Sequence, residues 1–72
     1  MEKNEDLIQH LSKGLPQAFG RSAIEKLLPG IISSKTLANL DSAGLGPPSY
    51  KCGRKVIYEK GAFLEWLNKR IS

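Results

Sequence analysis

Glycine and proline interrupt this chain so often that no regular element can run far. Gly14 and Pro16, Pro29 and Gly30, Gly44, the run Gly46-Pro47-Pro48, and Gly53 all fall where a helix must stop or the backbone must turn. What remains between them is a set of short segments within 72 residues, enough for one small core. A chain of that size buries only about 60% of the surface its unfolded form exposes, which leaves little room for a deep catalytic cleft. With 40% hydrophobic and 25% charged residues the composition is that of a folded domain rather than a disordered tail.

Each segment carries a recognisable period. Asn4 to Lys13 sets Leu7, Ile8 and Leu11 at helical spacing and predicts a first helix closed by Gly14 and Pro16. Arg21 to Leu28, with Ser22 as its expected cap and Ala23, Ile24, Leu27 and Leu28 on one face, predicts a second, ended by Pro29-Gly30. Ser33 is the expected cap of a third, of about three turns, with Ile32 placed to staple onto Leu37 and with Gly44 as its left-handed end. Leu37 and Leu40 face inward in this reading, and Ser34, Lys35, Asn39, Asp41 and Ser42 outward. After the prolines a hairpin is expected, with Gly53 at its tip and Tyr50, Cys52, Val56 and Tyr58 on one shared apolar face. Glu59 to Arg70 returns to helical spacing with Phe63, Trp66 and Leu67. The expected architecture is mainly α with a small β-hairpin wing: an N-terminal helix and connection over residues 1–20, then a winged helix-turn-helix over 21–72.

Charge is unevenly shared. The net charge is +4 and the pI about 9.5, yet up to Gly20 the acids Glu2, Glu5 and Asp6 outnumber Lys3 and Lys13. From Arg21 onward nine basic residues face four acidic ones, so an anionic partner is expected at the C-terminal part. One cysteine, Cys52, and one histidine, His10, leave no disulfide and no Cys/His metal pair, so no metal or cofactor is expected. The polar, partly acidic start is unlike a secretory signal, and no apolar run approaches the roughly 18 residues of a membrane span. The expectation is a cytoplasmic protein without a membrane partner.

Two short helices joined by Pro29-Gly30-Ile31-Ile32 form a helix-turn-helix, whose second helix enters the major groove by its N-terminal end. Ser34, Lys35 and Thr36 are small or basic there and suit a phosphate at the helix N-terminus. Asn39, a turn further on, has the amide that can pair with an adenine edge. Ser42 is on the exposed side as well. Lys51, Arg54 and Lys55 give the hairpin a basic tip suited to the backbone or the neighbouring minor groove. Each has a structural alternative: a solvated charged turn for the three basic residues, a helix-surface amide for Asn39, first-turn hydrogen bonding for Thr36. Trp66 and Tyr58 are expected in the core rather than as base-stacking platforms, His10 on the exposed side of the first helix, and Cys52 as a buried thiol.

Taken together, Ile32-Ser33-Ser34-Lys35-Thr36-Leu37-Ala38-Asn39, Ser42-Ala43-Gly44-Leu45-Gly46-Pro47-Pro48, Gly53-Arg54-Lys55-Val56-Ile57-Tyr58 and Trp66-Leu67 resemble the excisionase and AlpA-like branch of the MerR-like winged-helix proteins. The resemblance covers roughly Arg21 to Arg70. It implies sequence-specific binding of double-stranded DNA of phages or mobile elements, as an architectural factor for excision by an integrase or as a transcription regulator. It also implies groove roles for Ser34, Lys35, Thr36 and Asn39 and a wing role for Arg54. Three departures stand out: Asp41 where the family often has a basic residue, Ala62 where it has an acid near the start of the last helix, and Cys52 where it commonly has an aliphatic residue, which implies a buried thiol. Asp41 would repel phosphate if it faced DNA, unless it points away or reads a cytosine amino group.

An enzyme is not expected. There is no complete phosphate loop, no nucleophile with a histidine partner and no paired carboxylates. The alternative to DNA binding is a protein-interaction adaptor that keeps the fold, motivated by Asp41 and the acidic first segment; membrane-surface binding through the last helix is a weaker third.

Overall fold

A computed structural model of the chain describes residues 3–71. In chain order it contains α1 (Lys3–Lys13), β1 (Ala18–Gly20), a 3-10 turn (Arg21–Ala23) running into α2 (Ile24–Leu27), α3 (Ser34–Ser42), β2 (Ser49–Cys52), β3 (Lys55–Glu59) and α4 (Lys60–Ile71). The fold is mixed α/β, with four α-helices and one antiparallel sheet of order β1-β3-β2 among the described residues. Among the described residues no helix is long and apolar enough to cross a membrane.

The hairpin expected around Gly53 is present and gains a third strand. Ala18, Phe19 and Gly20, placed by sequence in a plain connection, pair with Glu59, Tyr58 and Ile57 of β3. Phe19 thereby enters the core against Tyr58 and Phe63, with ring centroids 5.2 to 5.9 Å apart and the Phe19–Phe63 pair edge to face. Each such pair adds about 0.5–1.5 kcal/mol beyond burial. Ile24, Leu28, Leu37 and Leu67 close around these rings, and Ile8 and Leu11 of α1 pack on the same core while Leu7 stays exposed.

The expected apolar face of the hairpin is corrected by one step of register. Cys52 pairs with Lys55 and Tyr50 with Ile57, so Gly53 and Arg54 alone form the turn. Gly53 has φ +65° and Arg54 does not share the positive region, as in a two-residue turn of the II′ kind with glycine first. Opposed residues share a face of the sheet. Tyr50 and Cys52 therefore side with Ile57, whereas Val56 and Tyr58 side with Lys51 and Ser49. Tyr50 is 66% exposed and Cys52 is exposed too, so Cys52 is not the buried thiol expected.

The second helix is shorter than its period implied. It begins as a 3-10 turn with Gly20 at the cap, becomes α only from Ile24, and receives no cap hydrogen bond from Ser22. Leu28 O accepts from Ile31 N at 3.2 Å across Pro29-Gly30, and Gly30 has φ +77°, the geometry of a type II turn. The cap of α3 is as expected: Ser33 Oγ accepts from Thr36 N at 3.1 Å. Its end is a Schellman motif, with Leu45 N on Leu40 O (2.8 Å), Gly44 N on Asp41 O (3.1 Å) and Gly44 at φ +77°. The helix has nine residues, about two and a half turns rather than three. In α4 Glu59 is the cap instead of the first residue, its Oε1 accepting from Ala62 N at 2.9 Å. Trp66 packs on Phe63 and donates its indole N–H to Leu45 O at 3.0 Å.

Candidate nucleic-acid interface

The polar residues of α3 divide into two sets. Lys35, Asn39 and Ser42 are all exposed, and their spacing of four and three residues puts them in one stripe along the helix. The other polar side chains have hydrogen-bond partners within the chain. Ser33 Oγ donates to Thr36 Oγ1 at 3.0 Å, so the hydroxyl of Thr36 belongs to the cap. Ser34 offers both its backbone N–H and its hydroxyl to Glu25 Oε2, each at 3.1 Å. The first-turn donors expected to await a phosphate are thus engaged at Ser34 and Thr36, one by a carboxylate from α2 that sequence did not single out.

Asp41 does not face outward as its position in the period suggests. Its Oδ2 accepts from Arg21 Nη2 at 2.6 Å and from the Tyr58 hydroxyl at 2.7 Å, while Arg21 Nε donates to Tyr58 Oη at 3.2 Å. Three elements meet in this triangle: the 3-10 turn, α3 and β3. Room for it comes from Gly46, where a Cβ would collide with Asp41 Oδ1. The hydrogen bonds to Tyr58 and then Asp41 hold Arg21 above its already high pKa, against the effect of partial burial. Burial chiefly, with the Asp41 carboxylate adding to it, raises the Tyr58 phenol, and Arg21 opposes the shift. The acid on α3 therefore has a local role: it is an acceptor for an arginine and a tyrosine.

Between α3 and the hairpin runs a groove of about 410 Å³. Ser34, Lys35 and Ala38 line it from α3, Arg54, Lys55 and Val56 from the hairpin, Gly20 from the end of β1, and Arg21 and Ser22 from the 3-10 turn. Four basic residues, Arg21, Lys35, Arg54 and Lys55, thus line one concavity. Of the eight residues picked out from sequence, Ser34, Lys35, Arg54 and Lys55 meet here. Asn39 and Ser42 continue the exposed stripe from Lys35 along α3, and Thr36 serves the cap. Lys51 pairs with Val56 on the hairpin and is exposed, outside the groove lining. Arg21 and Ser22 were missed, since nothing local distinguishes an arginine at a helix start from any other surface charge. Comparison of the chain with protein-family models, curated proteins and solved structures yields no match.

Proposed function

We propose that this chain is a winged helix-turn-helix module that binds double-stranded DNA in a sequence-specific way, in the manner of the excisionase and AlpA-like proteins it resembles. In this reading α2 and α3 are the helix-turn-helix, and α3 presents Lys35, Asn39 and Ser42 to the major groove. The β2–β3 hairpin is the wing, with Arg54, Lys55 and Lys51 on the backbone or minor groove. The observation that supports it is the cationic groove shared by the N-terminal half of α3 and the hairpin turn, a shape suited to a phosphodiester strand. The adaptor alternative loses one of its two motives, because the Asp41 carboxylate is taken up by Arg21 and Tyr58.

One module of this kind buries about 600–1,000 Å² on DNA, so selectivity calls for adjacent copies, a dimer or an integrase partner. The test is titration with duplex DNA across salt concentrations. With about five phosphates neutralised, the logarithm of the binding constant falls against that of salt with a slope near −4.5. Arg54→Ala should weaken all sequences alike, and Asn39→Ala should lose about 1–3 kcal/mol mainly at the target site. Salt-insensitive binding, or a protein partner recovered with no response to DNA, would refute the reading. Excision and transcriptional control require the same groove contacts; a neighbouring integrase gene favours the first.

A further inference from the structure

We propose that Arg21 is a phosphate-binding residue of the groove, aimed by Asp41 and Tyr58, which act as its positioning residues. The inference rests on the duplex-binding reading above and assigns to it a contact outside both the helix stripe and the hairpin. A guanidinium has five N–H donors in a rigid fork. Arg21 spends Nε on Tyr58 and one donor of Nη2 on Asp41. Nη1 has no hydrogen-bond partner among the described residues. The side chain is 26% exposed and lines the groove with Lys35, Arg54 and Lys55. A cation fixed in orientation, with donors to spare and three like charges around the same concavity, suits an anion with several acceptor oxygens. A phosphodiester strand supplies that, and a preorganised guanidinium loses less freedom on meeting it than a swinging lysine does.

The proposal also gives Asp41 a counterintuitive sign. A carboxylate on a DNA-facing helix ordinarily repels the duplex. Here it orients the arginine, so neutralising it loosens the contact instead of tightening it.

The experiment measures binding of a short mixed-sequence duplex by fluorescence anisotropy at several salt concentrations, for the wild type, Arg21→Gln, Arg21→Lys and Asp41→Asn. Circular dichroism fixes a temperature at which each is folded. Arg21→Gln should bind about tenfold more weakly, as expected for one hydrogen bond to a charged group. Its salt slope should become shallower by about 0.9, one phosphate's share. Arg21→Lys keeps the slope and still loses affinity, and Asp41→Asn also binds more weakly at unchanged slope. A folded Arg21→Gln with wild-type affinity and slope overturns the phosphate role, and an Asp41→Asn that binds more tightly overturns the positioning role. Should Arg21→Gln not fold, the Nε–H resonance of Arg21 in the wild type decides: it must shift when duplex is added, and a fixed resonance overturns the proposal. A wild type that ignores the duplex altogether sinks the functional reading itself, and this inference with it.

Discussion

The two sides of α3 use similar residue types to opposite ends. On the side toward the sheet and α2, serine, threonine and aspartate are all bonded within the chain: Ser33 with Thr36, Ser34 with Glu25, Asp41 with Arg21 and Tyr58. On the other side Lys35, Asn39 and Ser42 stand exposed. Polarity on a helix therefore says little until the partners are known. The satisfied side holds the helix at a fixed angle to the sheet, and the open side is left to meet something else.

The comparison can be broken most severely at Gly46. A methyl group there collides with Asp41 Oδ1, and the short aspartate cannot yield without giving up its bonds to Arg21 and Tyr58. Gly46→Ala is expected to destabilise by about 2 kcal/mol, within the range for disrupting a partly buried hydrogen-bonded network, as measured by chemical denaturation. Ser33→Ala tests the opposite end of the same side. Loss of the cap to Thr36 N should cost about 1 kcal/mol, with unfolding by urea as the measure.

A third test is alkaline titration of the triangle. The fold raises the Tyr58 phenol chiefly by burial and so favours its neutral form. That share of stability is present in full below the ordinary tyrosine value of about 10 and is lost as pH climbs through the raised one. The melting temperature of the wild type should fall through this alkaline range more steeply than that of Tyr58→Phe. Equal slopes would show that the phenol is not held neutral by the fold. The smallest effect is expected on the open side. Alanine at Lys35, Asn39 or Ser42 should move stability by no more than about 0.5 kcal/mol, and a larger loss at any of them would mean that the residue has an internal partner after all.

What could be read along the chain was local. The cap at Ser33, the left-handed glycines at 44 and 53 and the helical periods of α1, α3 and α4 depend on residues within a turn of each other, and they are present. Strand register was not local in that sense. Parity within each strand was correct, but which faces coincide depends on the pairing across the turn, and with Cys52 opposite Lys55 both Tyr50 and Cys52 lie on the exposed side. β1 escaped notice because three residues are too few to show alternation. In the candidate site the stripe and the basic turn were legible as residue types. The partners of Asp41 lie 20 and 17 residues away and that of Ser34 nine, separations over which spacing carries no message.

Trp66 is the chain's one tryptophan, and its indole is hydrogen-bonded to the carbonyl that follows the Schellman end of α3. Its emission is therefore an intrinsic optical probe of how α3 is seated. A spectrometer can follow the attachment of that helix to the body, during unfolding or on addition of a ligand, with no dye attached.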